Sequence, residues 1–155
     1  MEQSATEPDQ TLLDALRRRR AELRESMNAV EHALAGPAVG DRARWAERVH
    51  VALVELSADF REHIDVTEGK EGLYRDVLAS APRLSEAVRR LTREHVQIAA
   101  QVEDLLGRAR STRSVEDVER VRELGTTLLG TLVRHRQRGS DLVYEAYEVD
   151  VGGET

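Results

Sequence analysis

The feature that most constrains this chain is the spacing of its apolar residues, which is most regular over residues 84–105. Steps of four and three residues alternate there without a fault, which keeps one side of an α-helix apolar for about six turns. We call this line of core-facing positions the seam of a helix. In this segment the seam comprises Leu84, Val88, Leu91, His95, Ile98, Val102 and Leu105. Shorter seams of the same kind occur in three other segments, so the sequence predicts an all-α fold.

Glycine and proline set the limits of the first two predicted helices. The first should run from about Pro8 to Leu34, because proline suits the first helical position and a Gly-Pro pair follows at residues 36–37. The second should begin after Gly40, with Asp41 as its N-cap, and end near Gly69. Residues 69–81 contain two glycines and a short apolar patch. They predict a connection that holds one helical turn.

Proline and a capping motif begin the other two helices. Pro82 opens the third, and Ser114 forms a predicted capping box with Asp117 at the start of the fourth. Four amphipathic helices with short connections bury their seams most simply as an antiparallel up-down-up-down four-helix bundle. We therefore predict one bundle domain over residues 8–148, with mobile tails at residues 1–7 and 149–155.

Composition excludes several classes of function. The chain has no cysteine, which rules out disulfides, thiolate catalysis and cysteine-ligated metals. Its net charge of −6 argues against a nucleic-acid partner, whose binding surface should be basic. No stretch has the roughly 20 apolar residues that cross a bilayer, and the first residues do not resemble a signal peptide. The expected location is the cytoplasm, without a membrane partner.

Three of the five histidines share a seam with large apolar residues. His95 lies between Leu91 and Ile98 on the third helix. His63 and His135 each follow two apolar seam residues at steps of seven and three on the second and fourth helices. A buried neutral polar group costs about 1–3 kcal/mol without a partner, so three inward histidines from three helices indicate a shared purpose such as a metal ion. The polar face of the first helix carries His32, which should be exposed.

Three segments carry a resemblance to a known family. They are FREHIDVTE at residues 60–68, LTREHVQI at residues 91–98 and HRQRGSDL at residues 135–142. In helix order, histidine spacing and the Glu-His pair, the chain resembles the haemerythrin-like (HHE cation-binding) four-helix bundles over most of residues 10–147. The resemblance implies a non-haem, usually two-iron centre that binds a small ligand such as oxygen, nitric oxide or peroxide. The metal ligands it implies are His63, Glu68, His95, His135 and Asp141, with Glu145 as an alternative to Asp141.

The first helix departs from the family pattern. Where that family places an inward histidine, between Leu16 and Leu23, this chain has Arg20. A guanidinium does not bind metals, and one on a seam should pair with a carboxylate of another helix. This gives the rival hypothesis of a metal-free bundle, in which Arg20 and carboxylates replace the ion and the function is to bind a protein or a second copy of the chain.

A third hypothesis is an enzyme, such as an oxidase or a peroxide-removing activity, at the same centre. No nucleophile–base pair and no phosphate-binding glycine loop indicates other chemistry. The sequence therefore favours a metal-binding protein that is not an enzyme.

Overall fold

The computed structural model describes residues 10–149, and these residues form helices without any strand. Four helices are long and one is short: α1 Gln10–Ala35, α2 Arg42–Glu68, α3 Leu73–Ser80, α4 Ser85–Arg110 and α5 Val115–Val143. A 3₁₀ turn at Pro82–Leu84 precedes α4, and a π-helical turn at Tyr144–Val149 continues α5. None of the described helices is both long and apolar enough to cross a membrane. The predicted all-α class is confirmed.

The helix starts follow the capping residues. The Asp41 carboxylate accepts a hydrogen bond from the backbone N–H of Arg44 at 3.0 Å, which satisfies one free donor of α2. At the start of α5, Asp117 N–H donates to Ser114 Oγ at 3.1 Å, and Ser114 N–H donates to the Asp117 carboxylate at 3.2 Å. This is the predicted capping box. The predicted starts of these two helices are therefore confirmed.

Two further predictions concern the ends of the chain. Pro8, the predicted first residue of α1, lies outside the described residues. So do the predicted mobile tails, except for Val149, whose backbone ends the π-helical turn.

The long helices pack in a closed order, with α2 between α1 and α4 and with α5 between α4 and α1. Along α1, Arg19 pairs with Glu62 of α2, and Ser26 hydrogen-bonds Asp59 of α2. Residue numbers thus rise along one helix as they fall along its neighbour. These contacts are compatible with an up-down arrangement of the four long helices.

The core consists of two apolar clusters. The larger cluster fills the space between the four long helices and includes Trp45, Phe60 and Leu128. The smaller cluster lies where α3 packs against α4 and the end of α5, and it includes Tyr74 and Tyr147. Phe60 and Tyr74 both contact histidine rings, so the histidines lie where the two clusters meet.

The segment between α2 and α4 is more ordered than the sequence predicted. In place of a connection with one turn, residues 73–80 form an eight-residue helix. Leu73, Tyr74 and Val77 are buried, and the Tyr147 hydroxyl donates a hydrogen bond to Asp76 at 2.5 Å. Short apolar runs do not distinguish a turn from a packed helix, and here burial against α4 and α5 stabilises the helix.

Gly72, which precedes α3, makes a close backbone contact that gives a testable prediction. A Cβ atom at this position would lie 2.8 Å from the carbonyl oxygens of both Val66 and Thr67. Because backbone atoms cannot move aside cheaply, we expect Gly72→Ala to lower the free energy of unfolding by about 1–3 kcal/mol in urea denaturation. The matched control is Gly107→Ala in α4, where an added Cβ meets nothing within 4 Å. That variant should be more stable by roughly 0.5–1 kcal/mol, and equal effects of the two substitutions would contradict the prediction.

Candidate metal centre

Three imidazole side chains meet between the helices. They come from His63 of α2, His95 of α4 and His135 of α5, and one nitrogen of each lies within 4.8 Å of the other two. The Nε2 atoms of His63 and His135 are 3.2 Å apart. His95 and His135 are each only 1% exposed, and His63 is half-buried. The predicted convergence and the predicted exposure of His32 are confirmed.

The local sequence explains why the rings meet at one level. Each histidine continues a seam of large apolar residues, so the helix that carries it turns the ring toward the core. Phe60, one turn before His63, contacts all three imidazoles at ring-centroid distances of 5.5, 5.6 and 6.2 Å. Its ring therefore closes the centre on the side of the larger apolar cluster.

Two carboxylates orient two of the histidines. Nδ1–H of His135 donates to Glu94 at 2.7 Å, and the other oxygen of Glu94 accepts from Arg138 at 2.6 Å. In the same way, Nδ1–H of His95 donates to Glu68. A proton held on Nδ1 leaves the lone pair on Nε2, and this carboxylate–histidine pairing is the arrangement that orients histidine ligands in protein metal sites.

Tyr74 of α3 covers His95. The two rings are stacked, with centroids 5.8 Å apart and planes 14° from parallel. The Tyr74 hydroxyl lies 3.4 Å from His95 Nε2, so it can donate a hydrogen bond to that lone pair. The nitrogen that a metal ion would bind on His95 is therefore shared with a phenol from the short helix.

Burial keeps the three imidazoles neutral. It lowers the pKa of His63 to about 3, with further contributions from His95, His135, Arg20 and Arg136. Burial, followed by repulsion from His135, also lowers the pKa of His95 to about 3. The pKa of His135 is lowered by burial as well, although the hydrogen bond to Glu94 opposes the shift. Metal ions bind the neutral form of histidine, so no proton has to leave these rings at neutral pH.

The two carboxylates differ in environment. Burial alone would raise the pKa of Glu94, but hydrogen bonds from His135 and Arg138 outweigh it and lower that pKa. Burial raises the pKa of Glu68, which lies nearer the surface with its side chain 31% exposed. Glu94 is therefore the more firmly ionised partner.

The nitrogen distances suit a single ion. Bonds of about 2.0–2.1 Å at a tetrahedral angle separate two nitrogen ligands by roughly 3.3 Å. The observed 3.2 Å between His63 and His135 agrees with that separation. A pair at the 4.8 Å limit would have to close by about 1.5 Å to reach the same tetrahedral separation.

The predicted carboxylate ligands lie outside this group of nitrogens. Glu68 contacts the centre only through its hydrogen bond to His95. It lies five residues after His63, so its side chain is rotated about 140° around α2 from His63 and faces α4. Asp141 is not brought to the centre. It is exposed and accepts a hydrogen bond from Gln137 of its own helix at 3.0 Å. Six residues after His135, its position lies about 120° around α5 from the ring.

Arg20 does not have the predicted acidic partner. Its guanidinium donates to Ser140 Oγ of α5 at 2.8 Å, and no ion pair joins it to any carboxylate among the described side chains of residues 10–147. The residue is exposed at the edge of the bundle, where water solvates its charge. The carboxylates at the centre are instead bonded to histidines, so the prediction of an Arg20–carboxylate pair was wrong.

Sequence reasoning did not assign a role to Glu94 or Tyr74. A signal for Glu94 was present, because it lies three residues after Leu91 and four before Ile98 and so shares the seam with them. A buried carboxylate on a seam needs a partner, which points to a neighbouring cation or histidine. Tyr74 had no such signal, since its position depends on how α3 packs.

Comparisons of this chain with protein-family profiles, curated protein sequences and solved structures gave no significant match. The chemistry of the centre therefore rests on its own residues.

The low pKa values of the histidines predict how stability changes with acid. Because an unfolded histidine takes up a proton near pH 6.5 and the folded His63 and His95 do so only near pH 3, acid favours the unfolded state between these values. In metal-free protein, the free energy of unfolding should fall below pH 6.5 by about 1.4 kcal/mol per pH unit for each of these histidines. Urea denaturation between pH 7 and pH 5 measures this slope. His63→Gln should reduce the slope, and a variant as pH-dependent as the original protein would contradict the pKa assignment.

Proposed function

We propose that this protein is a haemerythrin-like bundle, with its four long helices antiparallel, that holds one divalent transition-metal ion on His63, His95 and His135. The observation that carries the proposal is the meeting of three neutral imidazoles from three helices within 4.8 Å. Any one of them could be an ordinary buried histidine with a hydrogen-bond partner. Each ring here has a hydrogen-bond partner, but three neutral imidazoles brought to one level from three helices favour a common ligand.

The hydrogen bonds on Nδ1 support ligation through Nε2. Glu94 and Glu68 hold the Nδ1 protons of His135 and His95, so the lone pairs of these rings lie on Nε2. Nε2 of His63 lies 3.2 Å from Nε2 of His135, where His63 Nε2–H donates to the His135 lone pair, and a shift of that proton to Nδ1 would free the third donor nitrogen. Histidine nitrogens whose other ring nitrogen is held by a carboxylate are typical of metal sites with oriented ligands.

The ligand count favours one ion over two. A two-metal centre of this kind needs bridging carboxylates as well as nitrogens. Among the described residues, Glu68 and Glu94 are bonded to histidine Nδ1 atoms and Asp141 lies apart. Iron is the metal that the family resemblance implies, and imidazole ligands suit it. Bound there, iron would supply a redox-active site for a small ligand such as oxygen, nitric oxide or peroxide.

Elemental analysis of protein prepared without a histidine tag tests this proposal. The full chain is loaded separately with Fe²⁺ under anaerobic conditions, with Mn²⁺ and with Zn²⁺, and is then dialysed. We expect one ion per chain for Fe²⁺ and an unfolding temperature that rises with free metal, because a ligand of the folded state stabilises it. Protein that retains none of the three metals would overturn the proposal and favour the metal-free interaction module.

A further inference from the structure

A small cavity lies beside the histidine centre. It has a volume of about 60 Å³, and its walls come from α1, α2, α3 and α5. His63 and His135 form part of the wall, so anything held in the cavity lies next to the proposed metal. At about 10–15 Å³ per water, the space admits roughly four to six waters or an anion of three heavy atoms.

The charged residues of the cavity wall are all arginines. Arg19, Arg20 and Arg136 line it, and no acidic residue is among the described residues that do so. Arg19 is neutralised from outside by Glu22 at 2.7 Å and by Glu62 at 3.5 Å. Among the described side chains of residues 10–147, Arg20 has only the neutral Ser140 hydroxyl as a partner.

Arg136 is the least satisfied of the three. Its Nε atom is buried and has no hydrogen-bond partner among the described residues. Arg20 lines the same wall, so two guanidiniums face this cavity without a carboxylate of the described residues between them. An anion held between Arg20 and Arg136 would bind both charges and offer the acceptor that the buried Nε of Arg136 lacks.

We propose that this cavity binds a small planar oxyanion, of the size of formate or nitrite, between Arg20 and Arg136. The planar guanidinium fork matches the two oxygens of such an anion and can bond them in pairs. Placing the anion beside a metal ion rests on the proposed function, but the arginines alone should bind it in metal-free protein.

The test is a titration of the metal-free full chain with sodium formate at constant ionic strength in a chloride-free buffer. Backbone amide NMR monitors the binding. We expect saturable shifts at the amides of Gly139 and Ser140, which lie beside the cavity. Arg20→Gln and Arg136→Gln should each raise the dissociation constant about tenfold or more, as expected for loss of a charge-assisted hydrogen bond. Arg134→Gln is the matched control, because Arg134 is exposed on the same helix as Arg136 and its substitution removes the same charge. It should change the constant by less than about twofold.

Three results would overturn the inference: no saturable shift, equal weakening by Arg134→Gln, or formate binding that requires the metal and ignores both arginines. The last result would leave the metal proposal intact. If the protein retains no metal but binds formate in a way that depends on Arg20 and Arg136, the anion site would be supported and the metal proposal would be rejected. Arg136→Lys, which keeps the charge and loses the fork, should weaken formate binding as well and serves if Arg136→Gln does not fold.

Discussion

Replacement of any one of His63, His95 and His135 by alanine is expected to abolish stoichiometric metal binding while the protein remains a folded helical bundle. Each substitution removes one of three donor nitrogens. The loss of affinity should exceed the roughly 10–100-fold that follows when only a hydrogen-bond partner of a ligand is removed. The fold should persist because both apolar clusters stay intact.

Isothermal titration calorimetry with Zn²⁺ measures the affinity, and circular dichroism measures the helix content. His32→Ala is the matched control, since His32 is exposed on α1 and takes no part in the cluster. It should bind one ion as the original chain does. An alanine variant at position 63, 95 or 135 that still binds one ion with unchanged affinity would show that the ligand set is different.

Glu94→Gln should weaken metal binding about 10–100-fold. The ionised Glu94 accepts the Nδ1 proton of His135, which fixes the ring and makes Nε2 a better donor to a metal. Glutamine has nearly the same shape but no charge, and its amide can also present a donor to that proton. Arg138, which now bonds Glu94 at 2.6 Å, would lose its anionic partner as well.

Competition of the variant against a chelating indicator for Zn²⁺ measures this change. Glu103→Gln on the exposed face of α4 is the control, because it removes the same charge from the same helix without touching a histidine. Glu68→Gln should act in the same direction with a smaller effect, since Glu68 is partly exposed. Unchanged affinity in Glu94→Gln, or an equal loss of affinity in Glu103→Gln, would contradict a role of Glu94 in metal binding.

Helical phase was enough to predict the four long helices and the three histidines. Each histidine lies on its own seam, and a seam is a property of one helix that can be counted along the sequence. His95, between Leu91 and Ile98, is the clearest example.

The partners of the histidines could not be found by the same reasoning. Which carboxylate meets which ring depends on the relative height of two helices, and the phase of one helix does not contain that information. Glu94 of α4 therefore pairs with His135 of α5 instead of acting near its sequence neighbour His95. Arg20 was misjudged for a related reason, because its seam reaches the edge of the bundle, where the charge is solvated.

X-ray absorption at the zinc edge of the Zn²⁺-loaded, untagged chain tests the central claim most directly. The account predicts one zinc per chain with three imidazole nitrogens at about 2.0–2.1 Å, and no stoichiometric zinc with this imidazole signal in His95→Ala. A spectrum dominated by oxygen ligands without imidazole scattering, or one unchanged in His95→Ala, would contradict it.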